Sequence, residues 1–99
     1  MSGKEKNSHR LHCIEGLPDK TDIQTILSLY TDIFQDADSE FFLNRIQTKD
    51  DLLSILAFSN EKPVGFKIGY RYDLSTFYSW IGGVLPTYRQ QGIATAMAQ

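Results

Sequence analysis

The stretch Val84-Leu85-Pro86-Thr87-Tyr88-Arg89-Gln90-Gln91-Gly92-Ile93-Ala94 leaves a strand pattern, turns, and starts a helix with a glycine among its first residues. Pro86 has no N–H for a sheet ladder, so a central strand ends before it. Gln90 to Ala94 then fall where the first amides of a helix lack intrahelical partners and point outward together. That is an anion-binding geometry, and a diphosphate fits it. Gly92 leaves room for close backbone approach, Ala94 keeps the helix near ligand and sheet, and Arg89 adds positive charge at the mouth.

Upstream of the turn, Thr76 to Val84 is rich in aromatic and branched side chains and reads as a strand. Gly82 and Gly83 break its side-chain coverage, which suggests a bulge, the close approach of another group, or a simple irregularity before the turn. Asp73-Leu74-Ser75 separates this strand from Val64 to Arg71, the expected antiparallel partner of an inner strand from Leu52 to Phe58. Ser59 to Pro63 is the turn between those two, with Pro63 closing it.

Nearer the start, Arg10 to Glu15 is a short candidate strand, with Leu11 and Cys13 on one side and His12 and Ile14 on the other. Gly16, Leu17 and Pro18 end it, and Asp19 or Thr21 can cap the next helix, Thr21 by pairing with Gln24 in a capping box. Ile23, Ile26, Leu27, Tyr30, Ile33 and Phe34 repeat at helical spacing and form one apolar face. After the break at Asp36 to Ser39, Phe41, Phe42, Arg45 and Ile46 predict a second, short amphipathic helix from Ser39 to about Gln47, packing on the core. Met1 to Ser8 reads as a loose tail, and the domain boundary is drawn as a flexible segment 1–9 followed by one domain over 10–99. The fold class is mixed α/β (α+β), in the order β-α-α-β-β-β-α.

The chain has 99 residues, enough for one domain with a modest core. A net charge of −2 and dispersed Lys and Arg provide no basic stripe, so nucleic acid is not an expected partner. The single cysteine, Cys13, excludes an internal disulfide and fits a reducing compartment, which makes the cytoplasm the expected location. No apolar run approaches the roughly 18 residues of a membrane span, and no signal-peptide core is visible, so no membrane association is expected. His9, His12 and Cys13 offer nitrogen and sulfur donors without an identifiable fourth ligand, so no metal is expected.

Arg89-Gln90-Gln91-Gly92-Ile93-Ala94 fits the Arg/Gln-x-x-Gly-x-Gly/Ala signature of the GCN5-related N-acetyltransferases (the GNAT family), and Val84-x-Pro86-x-Tyr88-Arg89 resembles the approach to it. The resemblance spans roughly residues 10 to 99 and is strongest from Val64 onward. It implies a partial GNAT-like fold, since the family fold continues after this helix with a C-terminal half that the chain lacks. It implies that Arg89, Gln90, Gln91, Gly92, Ile93 and Ala94 hold the pyrophosphate of acetyl-coenzyme A. The strand before the signature splays from its neighbour in that family, and the pantetheine arm bonds to exposed backbone there, which corresponds to Val84 and Leu85.

The implied reaction is direct transfer of an acetyl group to an amine in a ternary complex, without a covalent enzyme intermediate. A backbone N–H near Val84 or Leu85 is the candidate stabiliser of the oxyanion that develops. Family members often place a glutamate on this strand as general base, but Thr76 to Val84 contains no Glu, Asp or His, and Tyr78 is the substitute candidate for proton transfer. The tyrosine that commonly protonates the departing thiolate belongs to the absent half. The alternative is therefore a non-catalytic coenzyme-A-binding or packing fragment. The amine acceptor is not legible. An uncovered last strand leads to the expectation of self-association, as a C₂ dimer, or of packing by a missing C-terminal half.

Overall fold

A computed structural model describes residues 9–49, 51–89 and 92–98. The elements are β1 (His9–Glu15), α1 (Lys20–Ile33), α2 (Ser39–Thr48), β2 (Leu52–Ser59), β3 (Lys62–Asp73), β4 (Thr76–Val84), a 3-10 turn at Pro86–Tyr88, and α3 (Ile93–Ala98). That is the expected order. The strands form one antiparallel sheet in the order β1-β2-β3-β4, so β2 is an inner strand and β4 lies at an edge. Residues 1–8 of the expected tail lie outside the described residues, whereas His9 opens β1 opposite Ser59.

Asp19 rather than Thr21 caps α1, its carboxylate accepting the Asp22 N–H at 2.8 Å. Thr21 sits inside the helix, where its carbonyl accepts the Thr25 hydroxyl at 3.1 Å. The buried stripe is Ile26, Leu29 and Tyr30, which adds Leu29 to the sequence pattern and moves Ile23 and Leu27 to its flanks. Asp38 caps α2 through the Phe41 N–H at 3.0 Å, and Tyr30 Oη accepts the Asp38 N–H at 3.0 Å, tying the two helices together. Phe42 and Ile46 face the core while Phe41 is 54% exposed.

Both helices pack on one face of the sheet, against Leu52 and Leu56 of β2 and Phe66, Ile68 and Tyr70 of β3. Phe42 is the centre of this layer. Its ring stacks on Tyr30 at 4.2 Å and on Trp80 at 5.4 Å, and meets Phe66 edge-on at 6.1 Å. On the opposite face Ile93 and Met97 of α3 bury against Ala57, Val64 and Val84.

Three local features differ from the sequence pattern. The turn between β2 and β3 is only Asn60 and Glu61, at φ 52° and 67°, a left-handed pair whose twist matches the flanking strands. Pro63 therefore lies inside β3, opposite Phe58, where the register slips and the proline is tolerated. The bulge in β4 is at Trp80, not at the glycine pair: the register steps from Ile68↔Ile81 to Gly69↔Ser79, leaving Trp80 as an extra residue. Gly82 and Gly83 stay paired with Lys67 and Phe66, and what approaches them closely is the protein itself. A Cβ on Gly82 would stand 2.8 Å from the Phe66 carbonyl oxygen, and one on Gly83 3.0 Å from Ile33 Cγ2.

Asp73 accepts the Ser75 N–H at 2.9 Å in the β3–β4 turn. That bond first, then the Thr76 hydroxyl, holds its carboxyl below the ordinary value of 3.8. A depressed pKa contributes stability above the ordinary value and loses it as pH falls through the folded one. Amide exchange at Ser75 and Thr76 is expected to accelerate, relative to its intrinsic rate, on acidification below the ordinary carboxylate value. An Asp73→Asn variant should lack that acid-dependent step. A second expectation concerns the core: Phe42→Ala should cost about 3–5 kcal/mol, a large share of the 5–15 kcal/mol typical of a domain, read as a lowered urea midpoint.

Candidate functional site

A groove of about 520 Å³ runs along β4 from Ser79 to Val84. Phe66 and Lys67 of β3 form its floor, and Tyr88, Arg89, Gly92 and Met97 close its far end. Pro86 stops β4 and the chain reverses through the 3-10 turn, held by the Tyr88 N–H to the Leu85 carbonyl at 2.9 Å. Gly92 follows at φ 80°, and its carbonyl accepts the Ala96 N–H at 3.0 Å, opening α3. Nothing lies within 4 Å of the Cβ position of Gly92, so its positive φ, rather than a neighbour, calls for glycine here.

The polarity of the groove wall follows from one rung of the ladder. Leu85 N–H donates to the Val64 carbonyl at 2.8 Å. In an antiparallel pair the rungs alternate, so the next pair, Gly65↔Val84, turns its amides away from each other. Val84 N–H and C=O therefore face the open edge of the sheet. Arg89 Nε donates to that Val84 carbonyl at 2.9 Å, bridging strand end and turn. By the same alternation Gly82, opposite Lys67, presents its amide to the edge.

The candidate residues divide accordingly. Val84, Arg89 and Gly92 line the groove together. Leu85 is adjacent, but its N–H is engaged by β3. Ile93 is only 4% exposed, its side chain turned to the core. Gln90 and Gln91 lie outside the described residues, and Ala94 is described only by its place in α3. Tyr78 does not line the groove: it sits opposite Tyr70 with ring centroids 5.3 Å apart. At about 3.3 Å per residue its backbone is roughly 20 Å along the strand from Val84. The structure thus separates Tyr78 from the other candidates.

Trp80 and Tyr88, the latter part of the approach to the signature, also line the groove, and Lys67 and Ser79 do so without having been singled out from the sequence. Lys67 carried a usable signal, a lone cation between Phe66 and Ile68 in a strand with buried neighbours. Among the described lining residues there is no carboxylate or imidazole. Elsewhere His12 Nε2 is 3.8 Å from Asp22 Oδ2 and Cys13 is exposed. Among the described residues no group of three His, Cys, Asp or Glu side chains is placed to hold a metal, and no helix is long and apolar enough to cross a membrane.

The model of the Acetyltransferase (GNAT) family matches residues 22–99. Among solved structures, the aminoglycoside N-acetyltransferase AAC(6')-Iy in complex with CoA superposes with a TM-score of 0.71 at 18% identity, over 96% of this chain and 67% of that one. The ribosomal-protein-S18-alanine N-acetyltransferase from Escherichia coli gives 0.73 at 16% identity, over 92% of this chain and 55% of that one. Arabidopsis thaliana NAA60 in complex with acetyl-CoA gives 0.60 at 25% identity, over 90% of this chain and 64% of that one. The chain thus spans between 55% and 67% of the length of these structures. A comparison with curated protein sequences found no significant match. With a family model covering most of its residues and the corresponding fold around the β4 groove, the chain belongs to the GNAT acetyltransferase family.

Proposed function

We propose that residues 10–99 are part of an acetyltransferase domain whose β4 groove receives acetyl-coenzyme A for direct transfer of the acetyl group to an amine. The observation that carries this is the outward-facing Val84 amide in a groove ending at Arg89 and Gly92, within the family's signature. Val84 N–H is the donor aimed at the oxygen that gains charge during attack, while Leu85 contributes backbone packing beside it. The amides from Gln90 to Ala94 hold the pyrophosphate, with Arg89 supplying charge at the mouth. The outward amides of Gly82 and Val84 fit an extended pantetheine arm, which can bond to them as an added strand would. The setting proposed for this chemistry is cytoplasmic.

A second reading has its own observation. The described groove carries no carboxylate or imidazole, and Tyr78 stands away from it, which favours binding of the coenzyme without turnover by this chain. Calorimetric titration with acetyl-coenzyme A, joined to a product assay over a panel of amines, separates the two. Binding with acetylated product supports the enzyme, binding alone supports the second reading, and no binding rejects both.

Gly92 gives a sharper test. Gly92→Val should weaken acetyl-coenzyme A by about 1–3 kcal/mol through backbone strain and intrusion on the diphosphate. Asn adopts positive φ more readily than Val. If strain alone matters Gly92→Asn should keep most of the affinity, and if close approach matters both variants should lose it. Equal dissociation constants for wild type and Gly92→Val would remove Gly92 from the cradle.

Self-association is proposed at the same strand, because β4 is an edge of the described sheet that carries exposed Phe77, with exposed Leu74 in the turn before it. A C₂ pair joined there would occupy the groove. Light scattering over a concentration series should therefore show dimer that acetyl-coenzyme A shifts toward monomer. A mass independent of concentration would remove the dimer.

A further inference from the structure

Arg45 of α2 stands over the Trp80 bulge, on the helix side of the groove. Its guanidinium carbon is 5.4 Å from the Trp80 ring centroid and 5.8 Å from that of Phe41. Its one hydrogen bond among the described residues is a long one, from Nη2 to Tyr70 Oη at 3.4 Å, and Nε is buried without a partner. Lys49, the C-cap residue of α2, places Nζ 4.8 Å from the Tyr70 ring centroid. The ion pairs found among the described residues are Arg10–Glu61, His12–Asp22 and Arg71–Asp51, so neither Arg45 nor Lys49 is neutralised by a described carboxylate. In sequence the nearest acidic residues are Asp50 and Asp51, directly after Lys49, and Glu40 in the first turn of α2; Asp51 pairs with Arg71 at 3.1 Å, and Asp50 lies outside the described residues.

This cation pair is contiguous with the groove, because Trp80 belongs to both. Arg89 and Gly92 mark one end of the groove, and Ser79 and Trp80 the other. The exposed rings on this side are Phe41 at 54%, under Arg45, and Tyr78 at 47%, against the Tyr70 ring that Arg45 reaches through its hydroxyl. A guanidinium lying on aromatic faces is fixed in orientation and keeps its N–H edge for a planar anion, which a carboxylate matches in two parallel hydrogen bonds. A cation on an aromatic shelf, with no carboxylate partner among the described residues, also repels a polycationic amine.

Resting on the proposed acetyl transfer, we infer that the acceptor is an amine that also carries a carboxylate, held by Arg45 with Lys49 beside it, its apolar body against Phe41 and Tyr78. The polarity of the site then orders the substrates along β4: coenzyme phosphates at the Arg89 end, carboxylate at the Arg45 end, and the amine between them. Tyr78 thereby gains a place in acceptor contact rather than in proton transfer.

Trp80 is the chain's single tryptophan, so its fluorescence reports on this site without acetyl-coenzyme A. N-acetylphenylalanine and its carboxamide serve as paired probes, with an aminoglycoside as the polycationic comparison. The carboxylate is expected to give a saturable change at least about tenfold tighter than the amide, the scale of one charge-assisted hydrogen bond. Arg45→Gln should abolish that preference and Arg45→Lys should retain part of it. The wild-type comparison stands even where a variant unfolds. Equal affinity for acid and amide, tighter binding of the aminoglycoside, or no saturable change with the acid would each overturn the inference. Calorimetry with acetyl-coenzyme A tests the underlying transfer reading separately, because the Trp80 titration needs no donor.

Discussion

The hydrogen bond from Leu85 N–H to the Val64 carbonyl is the rung on which the functional edge depends. It is the last rung before Pro86, and it sets the parity of the strand end. With that rung in place Val84 faces outward and Leu85 inward. A slip of one residue would exchange them, because strand side chains and amides both alternate with period two. The Arg89 bond to the Val84 carbonyl depends on the same parity, since only an outward carbonyl can meet a side chain from the turn. Backbone hydrogen bonding, more than any one side chain, thus decides what the groove offers a ligand.

The two packed layers make that parity durable. On one face the stack of Tyr30, Phe42 and Trp80 clamps the bulge of β4 onto α2. On the other, Ile93 and Met97 hold the turn against Val64 and Val84. Gly82 and Gly83 let β4 draw close to β3 and to α1 between these two anchors, where any Cβ would meet the Phe66 carbonyl or Ile33. Glycine there serves the fit of the protein to itself, and it also leaves the groove wall free of side chains.

Element order was legible because its signals are local. Asp73-Leu74-Ser75 and Pro86 bracket β4 so tightly that its limits match the sequence pattern at both ends. The six-residue signature likewise identified the turn from chain order alone. What escaped depended on partners distant in sequence. The bulge at Trp80 exists only in the register of β4 against β3, so the neighbouring glycines drew attention instead. Choosing between Val84 and Leu85 needed the Val64 rung, and placing Tyr78 outside the groove needed the groove's extent. Leu29 was missed because the helical stripe is set by where α1 meets the sheet, not by the first apolar residue in the run.

The sheet's connectivity also bears on how the chain reaches this state. β2, β3 and β4 form a meander joined by two-residue turns, Asn60-Glu61 and Leu74-Ser75, so their pairings close short loops. β1 pairs with β2 only after the chain has passed through both helices, as in Glu15↔Leu53. Closing that loop costs more entropy before any contact repays it. The meander, which already contains the Val84 edge, is thus expected to nucleate folding, and β1 to join a sheet whose groove-bearing side has formed.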